Sequence, residues 1–326
     1  MKTRFFALPM AVALLVGVGL LALSLGPITI PVSELAGNPV VTNIRMPRIL
    51  IAGLVGAALA TSGALMQTIF HNPLADPGII GVSSGAALGA VLTIVSGVSF
   101  LGLWTLPAGA FIGALATVLV VYLIASTRNS ADPATLVLVG MAITSFIGAI
   151  ISATIANSPQ DSDLRSVIFW LNGDLVARTW SHVNVATVPI VAGLIVTWLL
   201  SRDLNLLLLG GATAQTSGLN IKRLRIASLA LAAVMTATAV AVSGAISFVG
   251  LVVPHLIRIT LGPDHRYLLP LAGLLGATFV IGADIVARLL FQPIALQTGT
   301  VVAFIGSPVF LYLLLRTRKT RKGLGL

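Results

Sequence analysis

The chain has 326 residues, of which 57% are apolar and only 9% charged, with a mean hydropathy of +1.06. A soluble domain carries about a quarter charged residues, so most of this surface must face lipid or buried helices, and a water-soluble globular protein is excluded. The net charge of +10 does not point to nucleic acid, because the basic residues sit at the ends of apolar stretches rather than on a polar domain.

Cysteine is absent, which removes disulfides, iron–sulfur clusters and thiolate metal sites. A helical crossing needs about 20 mostly apolar residues, so the gaps between charges locate the spans. Lys2 and Arg4 precede an apolar run to Leu25 that is longer than a secretory h-region, which predicts a retained first span within 5–33. Residues 49–75 predict span 2. Residues 77–127 carry no Asp, Glu, Lys or Arg and are long enough for two crossings, with Pro107 marking the hairpin between them. Residues 133–160 and 179–201 predict spans 5 and 6. The stretch 204–221 is uncharged but half polar, so the segment 202–225 is expected to stay on the cytoplasmic side as an amphipathic, basic-flanked helix. Both flanks of 226–257 are basic, so this stretch must go out and come back: a long span 7, then a short span 8 near Gly250 and Pro254. Residues 267–287 and 298–315 predict spans 9 and 10.

The reading is therefore all-α: one polytopic domain over 1–326 with about ten transmembrane helices and both termini cytoplasmic. Of the 19 Lys and Arg, only Arg45, Arg48, Arg165, Arg178 and Arg288 fall outside; the rest, Arg128 among them, fall inside. Tyr122, Tyr267 and Tyr312 fall at inner ends, and Trp104, Trp170 and Trp180 at outer ends. The 32 glycines, many near Ala, Ser and Thr, permit close helix approach, as at Gly53–Gly56, Gly81–Gly85–Gly89 and Gly109–Gly113. Ser62-Gly63-Ala64 in span 2 is echoed by Ser243-Gly244-Ala245 in span 7.

Chemistry-bearing groups are sparse. There is no nucleotide-binding Gly-x-x-x-x-Gly-Lys-Ser/Thr, no His-Glu-x-x-His, and no clustering of His71, His182, His255 and His265, so no metal site and no catalytic set is expected. Asp284 is the only carboxylate well inside a predicted span, and Arg288 follows one turn later, which predicts an intramembrane ion pair. A lone intramembrane carboxylate argues against an ion-coupled secondary transporter. Two loops stand out: the rigid turn His71-Asn72-Pro73-Leu74-Ala75-Asp76-Pro77-Gly78, which suits a gate, and the segment 202–225, which suits the bilayer surface or a cytoplasmic partner.

Several motifs resemble one family. Arg45-Met46-Pro47-Arg48 opens span 2. The stretch from Gly56 to Gly85 contains Ser62-Gly63-Ala64, Met66-Gln67 and Asn72-Pro73-Leu74-Ala75-Asp76-Pro77-Gly78. Phe248-Val249-Gly250-Leu251-Val252-Val253-Pro254-His255 with Arg258 follows, then Asp264-His265-Arg266, Ala283-Asp284-Ile285-Val286-Ala287-Arg288 and Gly306-Ser307-Pro308-Val309-Phe310. Together they are similar to the permeases of ferric-siderophore, haem and cobalamin ABC importers, the type II importer architecture. The resemblance implies a multi-pass inner-membrane subunit that performs no chemistry, with ferric siderophore the first expectation for cargo and haem or cobalamin the alternatives. It also implies a second, identical or homologous permease, two ATPase subunits that hold ATP and magnesium, and an extracytoplasmic binding protein. Carried over residue by residue, Arg45, Arg48 and Arg288 match outward arginines that meet acids of the binding protein. Asn72, Pro73 and Leu74 match one cytoplasmic gate, and Asp132 and Pro133 fall at a second, where the family often has small hydroxyl residues. Gly210, Gly211, Ala214, Ser217 and Gly218 match the ATPase dock, with Gly211 and Ser217 in place of the family's Glu and Leu. Small and hydroxyl residues such as Thr61, Ser62, Ser145 and Ser152 are expected along the path of a bulky solute.

Overall fold

The structure is a computed structural model that describes residues 2–126, 132–158, 161–291 and 295–323; Arg128 lies outside these residues. Its helices, in chain order, are α1 (Lys2–Ser24), α2 (Met46–Ile69), α3 (Val82–Ser96), α4 (Thr105–Ser126), α5 (Pro133–Ala156), α6 (Asp161–Leu171) and α7 (Trp180–Leu199). They continue with α8 (Ser201–Leu207), α9 (Gly211–Thr216), α10 (Ile221–Ser243), α11 (Val249–Leu261), α12 (His265–Leu289) and α13 (Thr298–Gly323). Seven described helices are long and apolar enough to cross a membrane; three shorter apolar ones, α3, α11 and the Thr298–Leu313 part of α13, lie in the other stretches that the charge gaps mark as apolar.

Helices α2, α10 and α12 form the centre: 78%, 72% and 56% of their spanning windows are buried, against 17% for α1 and α5. Helix α2 takes this position because, apart from Leu59, it consists of Ala, Gly, Ser and Thr from Gly56 to Ala64. In lipid, apolar burial does not distinguish one helix face from another, and close packing decides association. A Cβ placed on Gly56 would fall inside contact distance of the Gly276 backbone, and one on Gly63 would overlap Gly250. Gly85 and Gly89 of α3 meet Gly113 and Gly109 of α4 in the same way. Gly53 is looser, with the Ile281 side chain 3.5 Å from a Cβ there.

Four sequence expectations need correction. The α3–α4 hairpin is made by residues 97–104, with Gly97 and Gly102 at positive φ, while Pro107 sits in the first turn of α4, where a missing N–H costs nothing. Segment 202–225 is not one amphipathic helix: α8 and α9 are short, and α10 already begins at Ile221, so Lys222, Arg223 and Arg225 ride on its first turns. The Ser-Gly-Ala echo is not a structural repeat, because Gly63 lies mid-helix and Gly244 ends α10 at φ 69°. Trp170 is buried at 7% exposure rather than anchoring an interface.

Beyond Gly244 the chain leaves the helix until Val249, and Phe248 also adopts a left-handed φ of 66°. The freed backbone groups are paired with other interrupted elements. Ala245 N–H donates to Trp170 at the end of α6 (3.3 Å), Asp174 N–H donates to Ser243 (2.7 Å), and Gly299 N–H at the start of α13 donates to Gly173 (3.0 Å). Irregular backbone is tolerated at membrane depth only where it is buried in protein or lines a cavity, and both conditions apply here.

Candidate functional site

Helices α2 and α12 run antiparallel, so one end of the bundle collects Arg45, Arg48 and Arg288 and the other collects Thr68 and His265. At the arginine end, Arg45 is buried at 5% exposure. Its Nη1 donates to the carbonyls of Leu23 (2.6 Å) and Ser24 (2.8 Å), which end α1, and its Nη2 to that of Ile28 in the loop that follows, so it satisfies carbonyls at and just past the helix end. Arg48 donates Nε and Nη2 to Asp284 at 3.0 and 2.8 Å. Arg288 meets the second carboxylate oxygen at 3.1 Å and caps α1 through Leu25 and Ala22. Thr298 donates to Asp284 at 2.9 Å, which ties α13 into the cluster. Asp284 is thus a shared acceptor for α2, α12 and α13, wider than the one-turn pair with Arg288. The guanidinium groups of Arg45, Arg48 and Arg288 all find acceptors within the chain, as a charge in this environment requires.

Arg178, which the sequence marks only as an outside charge, is also part of this end. Its Nη2 donates to the Asp174 carbonyl at 3.1 Å. Burial pushes its guanidinium below the usual range, opposed by Asp174. Its departure from the positive-inside pattern was the available signal.

Next to the broken-helix junction lies a cavity of about 350 Å³ lined by Asn172, Ala245, Ser247, Gly299, Thr300 and Ser307, with Phe304 at its side. The lining carries amide, hydroxyl and backbone groups and no charged side chain. The hydroxyls expected on such a wall lie elsewhere. Ser62 is fully buried and donates to Ala232, Thr61 is also buried, and Ser145 and Ser152 are exposed on α5. Two of these could have been found from the resemblance, since Ser247 adjoins its Phe248 motif and Ser307 lies within its Gly306 motif.

At the opposite end, Asn72, Pro73 and Leu74 are exposed on the loop after α2. Asn72 Oδ1 accepts from Leu74 N–H at 2.9 Å, and Asp76 Oδ1 accepts from Gly78 N–H at 2.8 Å, opening the 3₁₀ turn Pro77–Ile80. Burial raises the Asp76 carboxyl, and the Gly78 N–H opposes that shift. The 3₁₀ turn packs on α5, where Gly140 leaves room for the Ile79 carbonyl. Asp132 caps the start of α5 through Thr135 N–H at 2.7 Å, a bond that holds its carboxyl below the usual range, and Pro133 takes the first helical position. Helix α9 is bracketed by Gly210 (φ 99°) and Gly218 (φ 84°). Of the five dock positions, only Ala214 is buried; Gly211, Ser217 and Gly218 are exposed.

Among the described residues no group of three or more His, Asp or Glu could hold a metal ion.

The chain is similar to several permeases and to a solved transporter. The chain is 44% identical over 297 residues to the cobalamin import system permease protein BtuC of Halobacterium salinarum, covering 90% of this chain and 78% of that one. It is 44% identical over 284 residues to the hemin transport system permease protein HmuU of Yersinia pestis, covering 86% and 84%. It is 39% identical over 315 residues to the Fe(3+) dicitrate transport system permease protein FecD of Escherichia coli, covering 93% and 96%. A solved inward-facing metal-chelate type ABC transporter superimposes with a TM-score of 0.88 at 34% identity, over 95% of this chain and 98% of that one. The profile of the FecCD transport family matches residues 14–316, and the chain belongs to that family of ABC transporter permeases.

Proposed function

We propose that this permease imports a metal chelate, with ferric siderophore as cargo, through a path that includes the junction of α6, α10, α11 and α13. The observation that carries this reading is the uncharged cavity at the junction, lined by Asn172, Ser247, Thr300 and Ser307. Such a wall passes a bulky ligand whose metal charge is already enclosed, without binding it tightly. A charged relay for ions is not supported, since the Asp284 carboxylate is occupied by Arg48, Arg288 and Thr298. The relatives named for cobalamin and hemin keep those two cargoes as the second reading, because both exceed the iron dicitrate relative in identity.

In this account the arginine end faces the binding protein. Arg48 is the entry point, because its side chain keeps 13% exposure while Arg288 keeps 6%. Docking then exchanges the Arg48–Asp284 contact for an acid of the binding protein. Helix α9 meets the ATPase, and the loop 70–77 with Asp132 and Pro133 closes the inner mouth. The permease is paired with a second copy and two ATPase subunits in the cytoplasmic membrane, both termini inside, and the chain binds no cofactor of its own. The test is uptake by proteoliposomes holding the assembled transporter, with labelled ferric siderophore, haem and cyanocobalamin offered in turn. Accumulation of the siderophore alone is expected; accumulation of haem or cobalamin instead would replace the cargo.

A further inference from the structure

Five residues from four helices form a one-way chain of hydrogen bonds at the end of the bundle that carries the loop 70–77 and α9. Asn205 Nδ2 lies 2.7 Å from Asp264 Oδ1. A carboxylate only accepts, so the Asn205 amide nitrogen belongs on that side and its Oδ1 faces His265. That oxygen accepts from the His265 backbone N–H at 2.9 Å and lies 2.8 Å from His265 Nδ1, which therefore carries the ring proton. His265 Nε2 is 2.7 Å from Thr68 Oγ1. Thr68 Oγ1 in turn accepts from Arg258 Nη2 at 2.6 Å. Arg258 cannot accept, so its bond uses a Thr68 lone pair and leaves the hydroxyl hydrogen free to point at His265. The same hydroxyl is 2.8 Å from the Ala64 carbonyl, which Arg258 Nη2 also approaches at 3.2 Å, so that acceptor has an alternative donor.

The donors thus run in one direction, from the Arg258 cation through Thr68, His265 and Asn205 to the Asp264 anion. Each link constrains the next: flipping Asn205 would set its amide nitrogen against the His265 backbone N–H, and turning the Thr68 hydroxyl to Ala64 would leave His265 Nε2 facing a lone pair. His265 is fully buried and Thr68 is 1% exposed, so water does not substitute for a broken link. The chain joins two segments of interest. Thr68 is in the last turn of α2, its carbonyl accepts from His71 N–H at 3.2 Å, and Asn72 follows. Asn205 is on α8, which leads directly into Gly210 and α9.

We propose that Asn205, His265 and Thr68 are positioning residues that pass movement of the ATPase-docking helix α9 to the gate loop 70–77. The inference rests on the importer reading above, which assigns α9 to the ATPase. Helix α8 moves with α9, and a shift of Asn205 reorients His265. His265 then pulls on Thr68 at the root of the loop. Arg258 and Asp264 anchor the two ends.

Because the chain lacks cysteine, Leu74→Cys provides a single labelling site on the gate loop for an environment-sensitive fluorophore. The assembled transporter carrying this label is reconstituted and its emission followed on addition of ATP with vanadate. An emission change in the otherwise unaltered protein is expected. Its absence would remove the importer reading and the relay together. Thr68→Val keeps the shape and removes both bonding roles, and Thr68→Ser keeps them. Losing a hydrogen bond to a charged partner shifts an equilibrium about tenfold or more. The ATP-dependent signal is therefore expected to fall about tenfold in Thr68→Val and to persist in Thr68→Ser, with ATPase co-purification and ATP hydrolysis retained in both. An unchanged signal in Thr68→Val overturns the relay and leaves the importer reading standing. Loss of ATPase co-purification in Thr68→Val would make the residue part of the docking fold and would also overturn it. If Thr68→Val cannot be recovered folded, Asn205→Leu breaks the same chain at its other end and is read by the same criteria.

Discussion

Asp284→Asn tests whether the arginine cluster holds the bundle together. In the native structure Asp284 is 1% exposed and receives Arg48, Arg288 and Thr298. Neutralising it leaves two largely buried guanidinium groups without a counter-charge, at a junction where α2, α12 and α13 meet. Removing one member of a buried ionic set costs about 3–5 kcal/mol. Thr298→Val removes only one bond to the same carboxylate and should cost about 1.5–2 kcal/mol. The assay is reversible unfolding in mixed detergent micelles, followed by circular dichroism on the purified protein. Asp284→Asn should be the more destabilised of the two variants. If Asp284→Asn stays within about 1 kcal/mol of the native protein, the guanidinium groups have water or other acceptors, and the cluster is not the closed network described.

Three further outcomes follow from the same geometry. Gly63→Ala forces α2 away from Gly250 of α11 and should cost about 1–3 kcal/mol, read in the same unfolding assay; Gly17→Ala, which meets nothing within 4 Å, is the control and should be near neutral. Ala212→Trp, at an exposed helical position of α9, should abolish co-purification of the ATPase while leaving membrane insertion intact. It is a cleaner probe than a substitution at Gly218, whose φ of 84° would strain any side chain. Arg48→Ala should slow capture of the binding protein and flatten its salt dependence, because it removes the guanidinium proposed to meet an acid of that protein; an unchanged rate and slope would leave Arg48 with only its internal role.

Much of this architecture is legible from charge spacing alone, because lipid imposes it: the ten apolar stretches, the broken pair α10 and α11, and the polar segment between α7 and α10 all follow from where Asp, Glu, Lys and Arg are absent. Helix α6 was missed because Asp161, Asp163 and Arg165 make its start look like a loop. Leu164, Val167, Ile168 and Leu171 nevertheless carry the helical spacing. The arginine end was half legible. Asp284 and Arg288 are one turn apart and announce themselves, whereas Arg48 is 236 residues away in sequence and only the α2–α12 crossing brings it in. The inward turn of Arg45 was not legible at all, since its acceptors are main-chain carbonyls that any sequence would supply. The same holds for Thr68 and His265, separated by 197 residues.

The central claim is that ATP drives passage through this chain, and uptake under a controlled driving force tests it most directly. Proteoliposomes containing the permease and its ATPase are loaded with ATP or left empty, with the binding protein and labelled ferric siderophore outside and proton or sodium gradients imposed or collapsed. The account predicts accumulation that requires internal ATP and the binding protein and ignores the gradients. Accumulation that follows an ion gradient without ATP would contradict it.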